Sequence, residues 1–171
     1  MDLYMLVLRL IHVLSGVFWA GSAIFFPTLL IPSVGDAGEA GGKVMGALNE
    51  RKLSTWLSAA AGLTVLSGIL MYIRDSEFFS NNFMRTGPGI MFGIGGLAAL
   101  GSLVVGGAIV GRSTKRLAEL GKAVATSGGK PTPEQGAEMG ALSARVGRFS
   151  KINAVLLVIA VICMGTAQYV F

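Results

Sequence analysis

Long apolar runs separated by short polar, glycine-rich connections set the pattern of this chain. The runs cover residues 4–31, 53–73, 90–110 and 152–171. A hydrocarbon core of about 30 Å needs about 20 helical residues to cross it, and each run supplies that many. None keeps the strict alternation of a strand. Helices also satisfy every backbone group within the segment, as lipid demands. The pattern predicts an all-α integral membrane four-helix bundle, one membrane domain over 1–171.

The connections carry the charge. Of fourteen Lys and Arg residues, eleven lie after the first and third runs: Lys43, Arg51 and Lys52, then Arg112, Lys115, Arg116, Lys122, Lys130, Arg145, Arg148 and Lys151. The opposite face keeps Arg9, Arg74 and Arg85. Basic loops stay on the cytoplasmic side, so both termini are expected outside. Tyr4, Phe78, Phe79, Phe83, Tyr169 and Phe171 would then form an outer aromatic fringe. The first run is longer than a signal-peptide core and reads as a retained helix.

The third connection has a pattern of its own. Thr132-Pro133-Glu134-Gln135 reads as a capped helix start. Met139, Leu142, Val146 and Phe149 then recur at helical spacing. Leu117, Leu120 and Val124 do the same beyond the third run, and Ser127-Gly128-Gly129-Lys130-Pro131 is a turn by composition. Spans three and four should therefore continue into a cytoplasmic helical hairpin over 112–151. At 1.5 Å per residue it projects about 20 Å, either as a solvated connector or as a docking or lipid-headgroup surface.

Composition narrows the classes. The 171 residues are 53% hydrophobic and 13% charged, with mean hydropathy +0.68 and pI ≈ 9.7. The net charge of +5 fits orientation and anionic lipid better than nucleic acid. No basic patch interleaved with aromatics points to RNA or DNA. Cys163 is the single cysteine, which excludes an intrachain disulfide and cannot alone build a zinc or iron–sulfur site. Among the twenty-five glycines, Gly89/Gly93 and Gly107/Gly111 have the spacing of small-residue helix contacts. They suit packing within the bundle, a partner helix, or a flat cofactor.

Chemistry concentrates on His12, the only histidine. Arg9, His12, Gly16, Trp19 and Ala23 share one helix face. An ionisable group inside a span is a functional candidate by default. His12 is either a haem ligand, with Gly16 leaving room for the ring and Arg9 meeting a propionate, or a histidine bonded to a neighbouring helix. In the second case Arg9 snorkels or pairs with Asp75 or Glu77. His12, Met71, Met91, Cys163 and Met164 all fall in the outer part of the bundle. Their soft sulfur atoms suit haem iron or Cu(I) and equally suit plain core filling. Every Asp and Glu lies outside the four runs, which weighs against proton-coupled transport.

The Arg9-x-x-His12…Trp19-x-Gly21 pattern resembles the CopD-like membrane proteins and the HemJ-type protoporphyrinogen oxidases. Most of the chain looks still more like uncharacterised four-span bacterial proteins related to them. These share the Leu63-Thr64-Val65-Leu66-Ser67-Gly68 second span and the Pro131-Thr132-Pro133-Glu134 connector. The resemblance implies haem b or copper handling in the bacterial inner membrane, with His12 as the carried-over ligand. The chain departs from these families in having one histidine where dihaem cytochromes need several. It also has no intramembrane lysine to match the one associated with HemJ-type activity.

The leading expectation is a non-enzymatic accessory or scaffold subunit of a larger membrane complex, respiratory or photosynthetic in kind. It would contact lipid and other subunits or further copies of itself. The first alternative is a haem-b-binding redox or porphyrin-handling protein using His12, Arg9, Gly16 and Trp19. The second is copper transport through His12, Met71, Met91 and Met164.

Overall fold

A computed structural model describes residues 2–77 and 81–170. Phe78, Phe79 and Phe171 of the expected aromatic fringe lie outside the described residues. Among the described residues the chain forms helices and turns, with no strand. Helix α1 (Leu3–Phe25) passes through a wide π turn (Phe26–Leu30) into α2 (Ile31–Asp36). Then come α3 (Glu39–Glu50), α4 (Leu53–Asp75), α5 (Asn81–Met84) and α6 (Gly87–Val104). A second π segment (Val105–Gly111) leads into α7 (Arg112–Thr126), and α8 (Pro133–Thr166) completes the chain before a last 3-10 turn (Ala167–Tyr169).

Four rods are long and apolar enough to cross a membrane: Leu3–Asp36, Leu53–Asp75, Gly87–Thr126 and Pro133–Tyr169. The protein is a multi-pass membrane bundle. The 23 residues of α4 reach about 35 Å at 1.5 Å per residue, which matches a bilayer core. The 40-residue and 37-residue rods exceed a core of about 30 Å by about 25–30 Å. Their excess is the hairpin expected from the sequence. The connection 32–52, by contrast, is mostly helical. Gly41, Gly42 and Gly46 lower its helix propensity and hid α3 from a pattern reading.

Helix α1 packs chiefly on α4, and α6 chiefly on α8; contacts of α1 with α8 and α4 with α6 join the two pairs. The core consists mainly of small side chains: Ala20, Ala60, Ala61, Ala99 and Ala160 pack with Trp19 and Leu157. The large residues point outward, with Leu97 72% exposed and Leu14 69% exposed. Lipid tails are as apolar as leucine, so burying leucine gains little there. Close van der Waals contact between small residues holds membrane helices together instead.

The glycines that allow this approach are not the expected pairs. A Cβ on Gly95 would lie 3.0 Å from Met164 Cγ, 3.2 Å from the Ala160 carbonyl oxygen and 3.3 Å from Cys163 Cβ. Gly95 is therefore where α6 meets α8 backbone to backbone. Gly93 faces only the Tyr72 hydroxyl, at 3.7 Å, and Gly107 faces nothing within 4 Å. Gly89 is crowded by the Phe83 backbone, a turn contact at the start of α6. Gly111 meets the carbonyl of Gly106 in its own helix. Spacing identified small residues but not the face that each presents.

The first π segment has a local cause. Pro27 has no N–H and its ring crowds the preceding turn; the chain widens there, and Ile31 N–H reaches back to the Phe26 carbonyl. The Thr28 hydroxyl donates to the Ile24 carbonyl at 2.6 Å, re-satisfying backbone in the way membrane helices require. In the second segment a Cβ on Gly106 would sit 3.4 Å from Asn153 Oδ1. Asn153 in turn accepts a 2.7 Å bond from the fully buried Ser102 hydroxyl. Asn153 is thus a bridge between α6 and α8.

The hairpin is a built structure. Gly128 and Gly129 take φ values of +107° and +82°, and the Gly129 N–H closes the turn on the Val124 carbonyl at 2.9 Å. Thr132 and Gln135 form the reciprocal capping box, at 3.0 and 3.2 Å. The Glu134 carboxyl is held below the usual carboxylate range by its own backbone N–H and the Thr132 hydroxyl. Arg116 forks onto Glu138, with Nε at 2.8 Å and Nη2 at 3.2 Å from the two carboxylate oxygens. Leu120 is buried beneath.

Gly95→Val should destabilise the detergent-solubilised protein by about 1–3 kcal/mol, the range for overpacking, because one of the crowding atoms is backbone. Gly96→Val, with nothing within 4 Å, should leave stability close to wild type. Thermal unfolding followed by circular dichroism separates the two; equal effects would contradict the contact described.

Candidate functional site

His12 and Ser15 of α1 meet Thr64 and Ser67 of α4 on one seam. Leu8, His12, Ser15, Gly16 and Trp19 recur at three- and four-residue steps on α1, and Ala60, Thr64, Ser67 and Gly68 do so on α4. The Cβ position of Gly16 is 3.4 Å from Thr64 Cγ2. The threonine methyl therefore occupies the notch where a ring was expected. The Thr64 hydroxyl lies 2.7 Å from the Ala60 carbonyl and 2.9 Å from Ser15 Oγ, and its single proton serves one of them.

His12 Nδ1 lies 2.8 Å from the Thr64 carbonyl oxygen. A carbonyl only accepts, so Nδ1 carries the proton, and in the neutral ring Nε2 keeps its lone pair. The Ser67 hydroxyl donates to Leu63 O at 2.6 Å and sits 3.4 Å from Nδ1. A Cβ on Gly68 would stand 2.8 Å from His12 Cε1 and 3.1 Å from Nδ1. Glycine is what lets the imidazole lie against α4. The ring is half-buried, and Nε2 has no hydrogen bond to any described residue. A backbone carbonyl that fixes the tautomer and leaves the other nitrogen open is the usual outer support of a ligating histidine.

The other candidate residues divide between places. Trp19 is buried in the shared core. Arg9 is exposed and has no ion pair among the described residues. At the termini end it is Arg74 that pairs, with Asp2, while its guanidinium lies 5.9 Å above the Tyr4 ring. Tyr4 and Arg74, with Leu70, Ile73 and Glu77, line a cleft of about 540 Å³. Met164 and Cys163 pack against Gly95 on the α6–α8 seam, whereas His12 lies on the α1–α4 seam. Met71 and Met91 are half-buried on α4 and α6. Among the described residues no cluster of three or more His, Cys, Asp or Glu side chains has a metal-binding arrangement.

Sequence reading singled out the His12 motif and the 63–68 motif separately. The structure packs them on each other. Polar and small residues at positions 64, 67 and 68 of the span were the available signal, since that spacing marks one helix face.

Gly68→Ala should displace the ring and weaken the Nδ1–H bond, at a cost of about 1 kcal/mol. Nitrogen-15 spectra of the histidine should report the Nδ1–H tautomer in the wild type and loss of that preference in the variant. A wild-type Nε2–H tautomer would contradict the bonding described. No protein-family model, no curated protein and no solved structure matches the chain.

Proposed function

We propose that the protein is a non-enzymatic membrane bundle that works by assembly, as an accessory or scaffold subunit alongside other membrane subunits or copies of itself. The observation that carries this is the outward glycine set. Gly21, Gly62, Gly107 and Gly165 are exposed with nothing within 4 Å of a Cβ position. A glycine inside a helix costs about 1 kcal/mol relative to alanine. On an outer face that cost is offset when another helix backbone packs there. Two polar groups within the spans are meanwhile engaged in helix contacts, His12 Nδ1 with Thr64 and Ser102 with Asn153. The charge asymmetry of the connections favours the bacterial inner membrane topology with both termini outside and the hairpin in the cytoplasm.

Native electrophoresis and native mass spectrometry in mild detergent test the reading. The wild type should migrate as a complex with itself or other subunits. Gly107→Ile should shift it toward monomer while leaving helicity unchanged. A wild type that is monomeric throughout would sink the proposal.

A second reading is supported by the open Nε2 of His12. The nitrogen suits an axial ligand to haem b, and the Thr64-filled notch favours a haem held outside the α1–α4 seam, with a second copy or another subunit supplying the rest of its pocket. Gently purified protein should then show a Soret band that disappears in His12→Ala. A colourless preparation from cells able to make haem would remove this reading. Copper transport through His12, Met71, Met91 and Met164 has less support, because Met164 is occupied by packing on Gly95.

A further inference from the structure

The hairpin's other arginines are not spent as Arg116 is. Where the second π segment passes into α7, a cleft of about 230 Å³ opens toward α8, lined by Ala108, Ile109, Arg112, Ser113, Leu142 and Arg145. No carboxylate lines it. Neither arginine forms an ion pair with a described residue. Arg145 rests 6.0 Å above the Phe149 ring, which limits its rotamers while leaving the donor edge unpaired. Ser113 is only 5% exposed as a residue; its hydroxyl oxygen keeps some access to solvent and makes no hydrogen bond to any described residue. In a helix such a hydroxyl ordinarily returns to a carbonyl one turn back.

Two guanidinium groups and a spare hydroxyl on facing helices have one kind of complement. Arginine donors match phosphate oxygens in a planar fork. An anion between two like charges also removes their mutual repulsion, which is stronger near a low-dielectric boundary than in water. The cleft sits at that boundary. Ala108 and Ile109 end the apolar run, and Arg112 begins the basic one. This is the depth of phospholipid phosphates, where basic residues gather anionic lipid.

We propose that the Arg112–Ser113–Arg145 cleft binds a phosphate group, that of an anionic phospholipid headgroup at the basic face of the bundle. The lipid phosphate would sit between the two guanidinium groups and accept from the Ser113 hydroxyl. Its acyl chains would run along Ala108 and Ile109. The inference needs the multi-pass fold and does not depend on either reading of His12.

Native mass spectrometry of the full chain, offered phosphatidylglycerol or phosphatidylcholine in detergent, tests it. The wild type should retain phosphatidylglycerol preferentially. R112Q/R145Q should reduce that retention about 25-fold, from about fivefold per basic residue near an anionic surface. K115Q/R148Q, with the same change in charge but outside the cleft, should keep most of it. Ser113→Ala should reduce retention without changing thermal stability, which guards against a folding defect in the double variant. A parallel arm measures thermal stabilisation by inorganic phosphate. Phosphate response without lipid preference would keep the site and reassign its source to a soluble anion. Equal losses in the two double variants, or no preference and no phosphate response in the wild type, would overturn the proposal.

Discussion

Everything in this bundle depends on how closely two helix backbones can come together in a solvent that gives no reward for burying oil. Lipid removes the usual driving force and leaves contact distance as the main variable. The core answers with alanine, glycine and serine where a soluble protein would place leucine. Gly95 facing the Ala160 carbonyl is the tightest such point between α6 and α8. Gly68 under the His12 ring and Gly16 beside Thr64 play the same part between α1 and α4. Leucine and valine are left to face the bilayer.

Close approach then determines where polar atoms can be placed. The His12–Thr64 bond exists because the α1–α4 seam is narrow enough for an imidazole to reach a main-chain oxygen. Ser102 and Asn153 bond across the other seam for the same reason. A polar group among alkyl chains is costly when unpaired, so each bond also fixes the register of its helix pair. One nitrogen of His12 is consumed in this structural duty and the other is left over. Both readings of the residue follow from that division.

The sequence made the spans, the hairpin and the capping box at Thr132 legible because each rests on local pattern: hydropathy over about 20 residues, helical recurrence, or a four-residue cap. It could not rank the glycines. Gly93 and Gly95 look alike in a string, and only the rotation of α6 against α8 decides that one meets a hydroxyl at 3.7 Å and the other a backbone. Nor could it pair His12 with Thr64, which lies 52 residues away on a helix whose register is set by packing. Helix α3 was missed because three glycines in twelve residues mask a helix that tertiary context supports. The Arg112–Arg145 cleft was visible only as a tally of basic residues. Which of them already had partners is a three-dimensional fact.

The wide turn at Val105–Gly111 also acts as an indexing device for everything beyond it. Each helical residue advances the facing direction by about 100°. Deleting one residue there to restore a regular spiral would swing α7 by about that angle. Arg116 would be turned away from Glu138, and Leu120 from its shelter against α8. The hairpin's orientation is thus set by an irregularity inside the oily layer, and a change of a single residue at that depth would be read out at the tip.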